Sequence, residues 1–382
     1  SIGNEIAERA DEPTGEVIAK KLIATIEKYD TTRPSTAAVN AFWDRRHFSW
    51  EKDSERAFRN LDVSGYNYQW KEYEKDHARF PERVMYGSES VPKEAAQNWN
   101  LIDKNPYLIG DFVWTAIDYL GEAGLAHTLE LAPGEHSPQF MGWPWYNAWC
   151  GDKKPQSYYR DILWNRRDIS LAVQPPVANG KREDINYWGW KNELLSWNWK
   201  GMEGKTMTVH IYSRSPKVRL YLNNRLIGEK ETTPDTYTAS FEVPYEPGEL
   251  KACNVKGKKE TASASLNTAG NPASIRLTAD RSKIKADKND LAYVKIEVLD
   301  KDGRVIPDCE IPLEIKSGGK GSVIASGNGS ADDMKSFRSL TPKTFRGKAI
   351  VIVQPDTQEG NIHLTVSAKG LPEANISIET YE

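Results

Sequence analysis

Two hydrophobic rhythms divide the chain. As far as residue 165, short apolar runs alternate with amphipathic stretches at roughly 25 to 30 residues per unit, the pattern of parallel strands joined by helices. A strand end at Glu5 is followed by residues 16–29, where Ile18, Leu22, Ile26 and Tyr29 fall on one helical stripe behind Pro13 and Thr14. Residues 33–40 (RPSTAAVN) read as a short strand, 50–60 as a polar helix, 61–68 (LDVSGYNY) as a strand and 70–80 as a charged helix. A strand at 83–87 leads into Glu89, then come a helix over 92–103, an apolar strand over 107–117 (YLIGDFVWTAI) and a closing helix over 157–164. Beyond residue 166 the period falls to two. Segments 206–213 (TMTVHIYS), 217–222 (KVRLYL) and 237–243 (YTASFEV) alternate between Arg214-Ser215-Pro216, Asn223-Asn224 and Pro247-Gly248 turns, predicting a β-sandwich. Asn271-Pro272 marks a second boundary, after which segments 274–279, 291–300, 311–317, 349–354 and 361–368 repeat the pattern. Glycine and serine crowd 317–330, which reads as a mobile loop.

The expected organisation is therefore α/β followed by all-β. Residues 1–166 form part of a parallel barrel, 167–270 a first sandwich and 271–382 a second. A chain of 382 residues exceeds the size at which a single core stops growing. A Rossmann domain is the rival for the first part, but no GxGxxG opens a helix after any strand. Successive strand–helix units with polar residues at strand C-terminal ends fit half of an eight-stranded (β/α)8 barrel, whose active site lies on that face.

Composition narrows the function by exclusion. The formal charge is −3, with no basic block, which argues against a nucleic-acid partner. No apolar run reaches the roughly 20 residues of a membrane helix, and no signal peptide is visible. The chain opens without methionine inside a strand-end motif, so it reads as the C-terminal part of a longer protein. Cys150, Cys253 and Cys309 lie far apart, which suits neither a disulfide framework nor a CxxC metal site. No HExxH or clustered ligand set calls for a catalytic metal, and no cofactor is implied. Tryptophan and tyrosine are abundant, 13 and 17 against 9 phenylalanines, and flat rings with one polar atom suit sugar faces as well as cores.

The chemistry concentrates on two glutamates. Glu5 closes Ser1-Ile2-Gly3-Asn4-Glu5, and Glu89 sits in Tyr86-Gly87-Ser88-Glu89-Ser90, 84 residues on, each after a strand-like run. Two carboxyl groups at neighbouring strand ends can divide the cleavage of one bond between a proton donor and a nucleophile. Alone, either glutamate is more simply a solvated loop carboxylate. Ser1 and Ser88 have no paired His-Asp arrangement nearby in the sequence, which argues against a serine hydrolase.

At these residues the chain resembles a known family. Ser-x-Gly-Asn-Glu is similar to the strand-4 acid/base motif of glycoside hydrolase family 2, the β-galactosidase, β-glucuronidase and β-mannosidase family, and Gly87-Ser88-Glu89-Ser90 is similar to its strand-7 nucleophile motif in bacterial β-galactosidase-like members. Asp111-Phe112-Val113-Trp114 with Asp118-Tyr119 resembles the strand-8 segment, Gly151-Asp152-Lys153-Lys154-Pro155 with Tyr158-Tyr159 the barrel-closing segment, and Trp197-Asn198-Trp199 with Val218 to Asn223 and Leu226-Ile227-Gly228 the immunoglobulin-like tail. The resemblance implies strands 4 to 8 of a TIM barrel, strand 4 present only as its end, and then two immunoglobulin-like sandwiches. It implies a retaining mechanism, with carboxyl groups about 5 to 5.5 Å apart, Glu5 as acid/base and Glu89 as nucleophile. Like charges at that separation push one pKa up and keep the acid protonated until it donates. Asn4 would hold the sugar 2-hydroxyl, Tyr68 would hydrogen-bond the nucleophile (Tyr66 being the lesser candidate), and Trp114 would floor the pocket. A terminal β-galactoside is the implied substrate, because family members acting on glucuronides carry Asn-x-Lys after strand 8 where this chain has Asn147-Ala148-Trp149, and a buried carboxylate without a cation is costly. β-Mannoside and β-glucuronide are the alternatives within the class.

Other residues are weighed lower. His127, His136 and Glu122 fall in a Gly-, Glu- and Pro-rich insertion that could rim the pocket, and Trp143 and Trp145 could line an acceptor subsite or pack under the barrel. Trp188, Trp190, Trp197 and Trp199 could form a carbohydrate-binding surface, but plugging a sandwich core or its seam is the simpler role. That surface carries the rival reading, a non-catalytic carbohydrate-binding or adhesive module. A homo-oligomer contact through the last sandwich is a third, and the family suggests a periplasmic or extracellular address. With half its barrel, the isolated chain is expected to have little glycosidase activity.

Overall fold

In the computed structural model, residues 1–5, 12–41, 49–114, 129–135, 151–185, 187–330 and 333–382 are described. The chain forms two compact units, one of Ser1–Ala116 with Tyr187–Gly189 and one of the remaining residues. The division falls after residue 116, whereas the first domain read from sequence ran to 166.

The first unit is built on four parallel strands in chain order, β1 (Thr36–Val39), β2 (Val63–Asn67), β3 (Val84–Ser90) and β4 (Leu108–Val113). Ahead of β1 the chain start runs parallel to it: Ile2 N donates to Thr36 O (2.7 Å), Ala38 N to Gly3 O (3.0 Å) and Glu5 N to Ala38 O (2.9 Å). Helices α1 (Pro13–Tyr29), α2 (Trp50–Phe58), α3 (Tyr73–Arg79) and α4 (Ala95–Ile102) connect the strands. The alternation is what parallel pairing demands, since a parallel neighbour needs a crossover that a tight turn cannot supply. Pro13 opens α1 where its missing N–H costs nothing.

Val39, Phe58, Tyr66, Tyr73, Met85 and Leu108 form the apolar core of this unit. Within it Asp76, fully buried, accepts from Trp50 Nε1 (3.0 Å) and Tyr66 Oη (2.9 Å) and pairs with Arg79 (3.1 Å) and Arg83 (3.4 Å). A buried carboxylate is tolerable only with such a set of donors. Tyr66 is thereby a core residue, with its hydroxyl committed to Asp76, and not a site residue.

The apolar stripe of α1 does not face this core. Ile18 is 47% exposed, Leu22 40% and Tyr29 78%, and Ile23 alone in the helix is buried. Ile18 and Leu22 instead line a cavity of about 100 Å³ with Ile2, Glu5 and Val39. On β4, Ile109 and Phe112 are likewise exposed, at 62% and 66%.

The second unit is almost entirely antiparallel. One pair of sheets is ordered Arg225–Glu231, Lys217–Leu222, Glu249–Lys256, Lys259–Asn267 and Thr238–Pro244, Thr206–Ser213, Ile169–Gln174. The pair closes on a core in which Trp197 is fully buried, its indole N–H donating to Glu246 O (2.9 Å). The second pair is ordered Ser274–Ala279, Ala292–Leu299, Lys348–Pro355, Gly321–Gly327 and Lys283–Lys285, Ala374–Tyr381, Gly360–Ser367, Glu314–Gly319, around Val294, Ile296, Val351, Leu364 and Ile378. Strand alternation puts the aliphatic residues inward on both sheets of each pair.

The glycine- and serine-rich stretch expected to be a mobile loop is mostly strand. Its glycines serve close approach: a Cβ on Gly321 would lie 2.4 Å from Gln354 O, and one on Gly319, at φ +92°, would lie 2.1 Å from Asn361 O. Glycine there permits pairing that any side chain would block. Among the described residues no helix is long and apolar enough to cross a membrane, and no group of three or more His, Cys, Asp or Glu side chains could hold a metal ion.

Candidate active site

Parallel strands send their C-terminal ends to one edge, and the first unit collects its polar residues there. Asn4 and Glu5 end the segment beside β1, Asn67 and Tyr68 end β2, Glu89 lies next to last in β3, and Trp114 follows β4. The register sets Asn67 opposite Glu89, and Tyr68 N donates to Glu89 O (2.7 Å). Glu5 and Tyr68 both have left-handed backbones, at φ +48° and +60°. Such a conformation costs a non-glycine residue about 1–3 kcal/mol and persists where the surroundings impose it.

Asn67 ties the edge together. Fully buried, it donates from Nδ2 to Glu5 Oε1 (2.9 Å) and Asn4 Oδ1 (3.0 Å), and its Oδ1 accepts from Ser88 Oγ (2.6 Å). Tyr68 Oη donates to Glu89 Oε2 (2.5 Å), and Asn4 and Asn67 lie near enough to Glu89 to favour its charged form. Asn4, Glu5, Tyr68 and Glu89 thus belong to one polar cluster, within which Glu5 and Glu89 sense each other's charge.

Burial pushes the Glu89 carboxyl above its ordinary pKa, the Glu5 charge adds to the rise, and Tyr68, Asn4 and Asn67 oppose it. The burial follows from position, since Glu89 is set in a strand flanked on both sides. The Tyr68 phenol is raised far above its usual range, by burial first and then by the Glu89 carboxylate, so it serves as a donor.

Aromatic rings wall this cluster. Trp114 meets Trp188 edge-on at 6.4 Å between centroids, and Trp188 meets Tyr68 at 6.2 Å. Tyr187 packs on Trp188 at 5.1 Å and on Tyr68 at 6.1 Å, with Lys93 Nζ 5.1 Å from its ring. Trp188 is therefore not a sandwich plug, as the sequence suggested, since Tyr187–Gly189 belongs to the first unit. Trp190 and Trp197 are buried in the second unit. Sequence reasoning missed Asn67 and the placing of Tyr187 and Trp188 beside Tyr68 and Trp114. The Asn at the end of LDVSGYNY offered a signal for the first, while the second joins residues more than seventy positions beyond Trp114 with no local cue. His127, His136, Glu122, Trp143, Trp145 and the stretch 146–149 lie outside the described residues.

Comparison with known proteins agrees with this architecture. The family model for glycoside hydrolase family 2 C-terminal domain 5 matches residues 275–377, and that of a domain of unknown function, DUF4982, matches 204–262. Across 99% of its length the chain is 26% identical to the beta-galactosidase BoGH2A of Bacteroides ovatus, covering 45% of that protein. A putative beta-glucuronidase of Formosa agariphila is 25% identical over 72% of this chain and 25% of its own length. The solved structure of a glycosyl hydrolase family 2 member from Bacteroides cellulosilyticus is 33% identical, with a TM-score of 0.83 over 97% of this chain and 47% of that one. The chain spans about half the length of these two Bacteroides relatives.

Proposed function

The chain belongs to glycoside hydrolase family 2, as the portion that lies C-terminal in its relatives, and from that premise we propose that it carries the paired carboxylates of a retaining β-galactosidase. Glu89 is the nucleophile that forms the glycosyl intermediate. Glu5 gives its proton to the leaving oxygen and then takes one from water. Tyr68 holds Glu89 through its hydroxyl, Asn4 takes the sugar 2-hydroxyl, and Trp114 supplies an apolar face to the ring.

One observation carries the reading: Asn67 holds Asn4 and Glu5 through its amide and stands opposite Glu89 in the strand register, so both carboxylates sit at the same edge of the sheet. The parallel sheet is half of an eight-stranded barrel. Its remaining strands pair beside Ile2–Glu5 at one flank and β4 at the other, covering Ile109 and Phe112. The antiparallel pairs are immunoglobulin-like sandwiches. Galactoside is favoured by the Bacteroides ovatus relative and by the tryptophan at position 149. Glucuronide is the alternative that the Formosa agariphila relative represents.

The test is a panel of nitrophenyl β-galactoside, β-mannoside and β-glucuronide given to the full-length protein. Hydrolysis of the galactoside with retained configuration, lost in Glu89→Gln, is the expected result. Galactoside turnover unaffected by Glu89→Gln would refute the assignment, and preference for the glucuronide would move the substrate.

A further inference from the structure

The second unit holds a cavity of about 230 Å³. The lead into the helix Pro155–Leu163, the segment before Trp197, the end of the strand Lys259–Asn267 and the turns at 305–307 and 345–348 wall it. Its lining divides by chemistry. Lys153, Lys154, Arg346 and Lys348 are cationic, and of the lining residues Asp152 alone is acidic. Leu194, Leu195, Leu266, Val305 and Phe345 make an apolar wall, while Ser196 and Asn267 add a hydroxyl and an amide. Asp152 pairs with both Lys295 Nζ (2.7 Å) and Lys348 Nζ (3.1 Å), and one carboxylate cannot neutralise two ammonium groups. The helix Pro155–Leu163 starts at the wall and adds the positive end of its dipole.

Two of the cations sit on a rigid mount. Phe345 N donates to Lys348 O (2.8 Å) and Lys348 N to Phe345 O (3.0 Å), closing a two-residue hairpin whose tip is Arg346 at φ +50° and Gly347 at φ +74°. Gly347 is pinned in turn: its N donates to Cys309 O (2.8 Å), its O accepts from Val298 N (2.8 Å), and a Cβ there would lie 2.3 Å from Ile306 O. A tip with both residues at positive φ ordinarily takes asparagine or glycine first. Arginine breaks that local rule, and such breaks gather at binding sites. Its guanidinium stands 5.1 Å from the Phe345 ring centroid, so charge and apolar surface lie side by side.

We propose that this cavity binds a small sugar acid, a single ring bearing one carboxylate. The planar fork of Arg346 matches a carboxylate, with Lys348 beside it as a second charge. The apolar wall takes the face of the ring, and Ser196 and Asn267 take its hydroxyls. The volume falls below the about 300–1,000 Å³ of sites for drug-sized ligands, which suits one ring and not an oligosaccharide. An inorganic anion would leave the apolar wall bare, and a neutral sugar makes no use of the cations. The inference stands apart from the glycosidase reading, since every lining residue belongs to the second unit.

Isothermal titration of the full-length protein with D-glucuronate, D-glucose, benzoate and sodium sulfate tests this. Glucuronate is expected to bind with an affinity that falls as salt rises, and glucose and sulfate about tenfold more weakly or not at all. Arg346→Asn removes the cation while suiting the turn better than arginine, so the variant should melt no lower than the wild type and bind glucuronate about tenfold or more weakly. Lys348→Gln should weaken binding by a similar factor. Sulfate binding as tight as glucuronate would make the cavity a general anion site, and tighter benzoate would make it a site for aromatic acids; either result overturns the sugar acid. Glucuronate binding that is absent in the wild type, or unchanged in a folded Arg346→Asn variant, overturns the site itself. So does binding abolished by Glu89→Gln but intact in Arg346→Asn, for then the acid is held at the glutamates.

Discussion

The sharpest test of the site is at Asn67, which touches no solvent yet bonds three neighbours, two on the chain start and one on β3. Asn67→Ala deletes one hydrogen bond to the Glu5 carboxyl, one to Asn4 and one from Ser88. At about 1.5–3 kcal/mol for the carboxylate partner and about 0.5–1.5 for each of the others, the sum is about 2.5–6 kcal/mol. Because Asn4 is exposed and Glu5 half-exposed, water replaces part of what they lose, and about 3 kcal/mol is expected. The loss should be read locally, since a chain of two compact units need not unfold in one step. Amide hydrogen exchange in β2 and β3 is the suitable assay, and about 3 kcal/mol corresponds to an acceleration of about a hundredfold. The isosteric Asn67→Asp keeps the shape but sets a carboxyl against Glu5 and Glu89. Burial and like charge raise the pKa of that new group, so the variant's stability is present at low pH and is lost as pH rises through the raised value. Exchange in Asn67→Asp should therefore be near wild type at about pH 4 and much faster at about pH 8. An acceleration below threefold in Asn67→Ala, or pH-independent exchange in Asn67→Asp, would refute the claim that this side chain braces the strand ends that carry the glutamates.

Three further outcomes follow from other parts of the structure. Glu89→Gln should raise the melting temperature at pH 8: the raised pKa of Glu89 means that native stability is fully present below the ordinary carboxylate value and lost as pH rises through the folded value, so the amide removes a cost that vanishes at low pH. A wild type that melts above the variant at pH 8 contradicts this. Trp197→Ala should cost the first sandwich about 3–5 kcal/mol in urea unfolding, because a fully buried indole and its bond to Glu246 O are lost together, and a loss under 1 kcal/mol would mean the core collapses to fill the space. Gly319→Ala should destabilise the second sandwich by about 2–4 kcal/mol, while Gly318→Ala, whose Cβ meets nothing within 4 Å, should change it by less than about 1, both read from denaturant midpoints.

Where the sequence was informative, the signal was local. The alternation of strand and helix through residue 113, and the two glutamates at strand ends, rest on periodicity and on short motifs; three of the four parallel strands fall inside the segments read for them, and β3 runs three residues beyond its own. For the α1 stripe, helical periodicity marks which residues share a face but not what lies opposite it. Ile18 and Leu22 do share a face, and that face lines a cavity beside the chain start. The strand Lys259–Asn267 was missed for another reason: it lies at a sheet edge, and the side chains that alternate inward, Ala262, Ala264 and Leu266, are mostly small and only partly buried. Gly319 and Gly321 misled because composition cannot distinguish a glycine that loosens the chain from one that lets two backbones touch. The partners of Asn67 and the arrival of Trp188 depend on pairing across tens of residues, which no window on a single sequence contains.

That three residues numbered in the 180s belong to a unit otherwise finished by residue 116 limits how the molecule could be rearranged. A transplant of the parallel sheet by itself would leave Tyr68 and Trp114 facing solvent on the side where they now meet an indole. Recombination with a distant homologue would have to inherit both segments from one parent, and the seam between donors could not be drawn anywhere from residue 117 to residue 186 without separating Trp188 from the rings it touches.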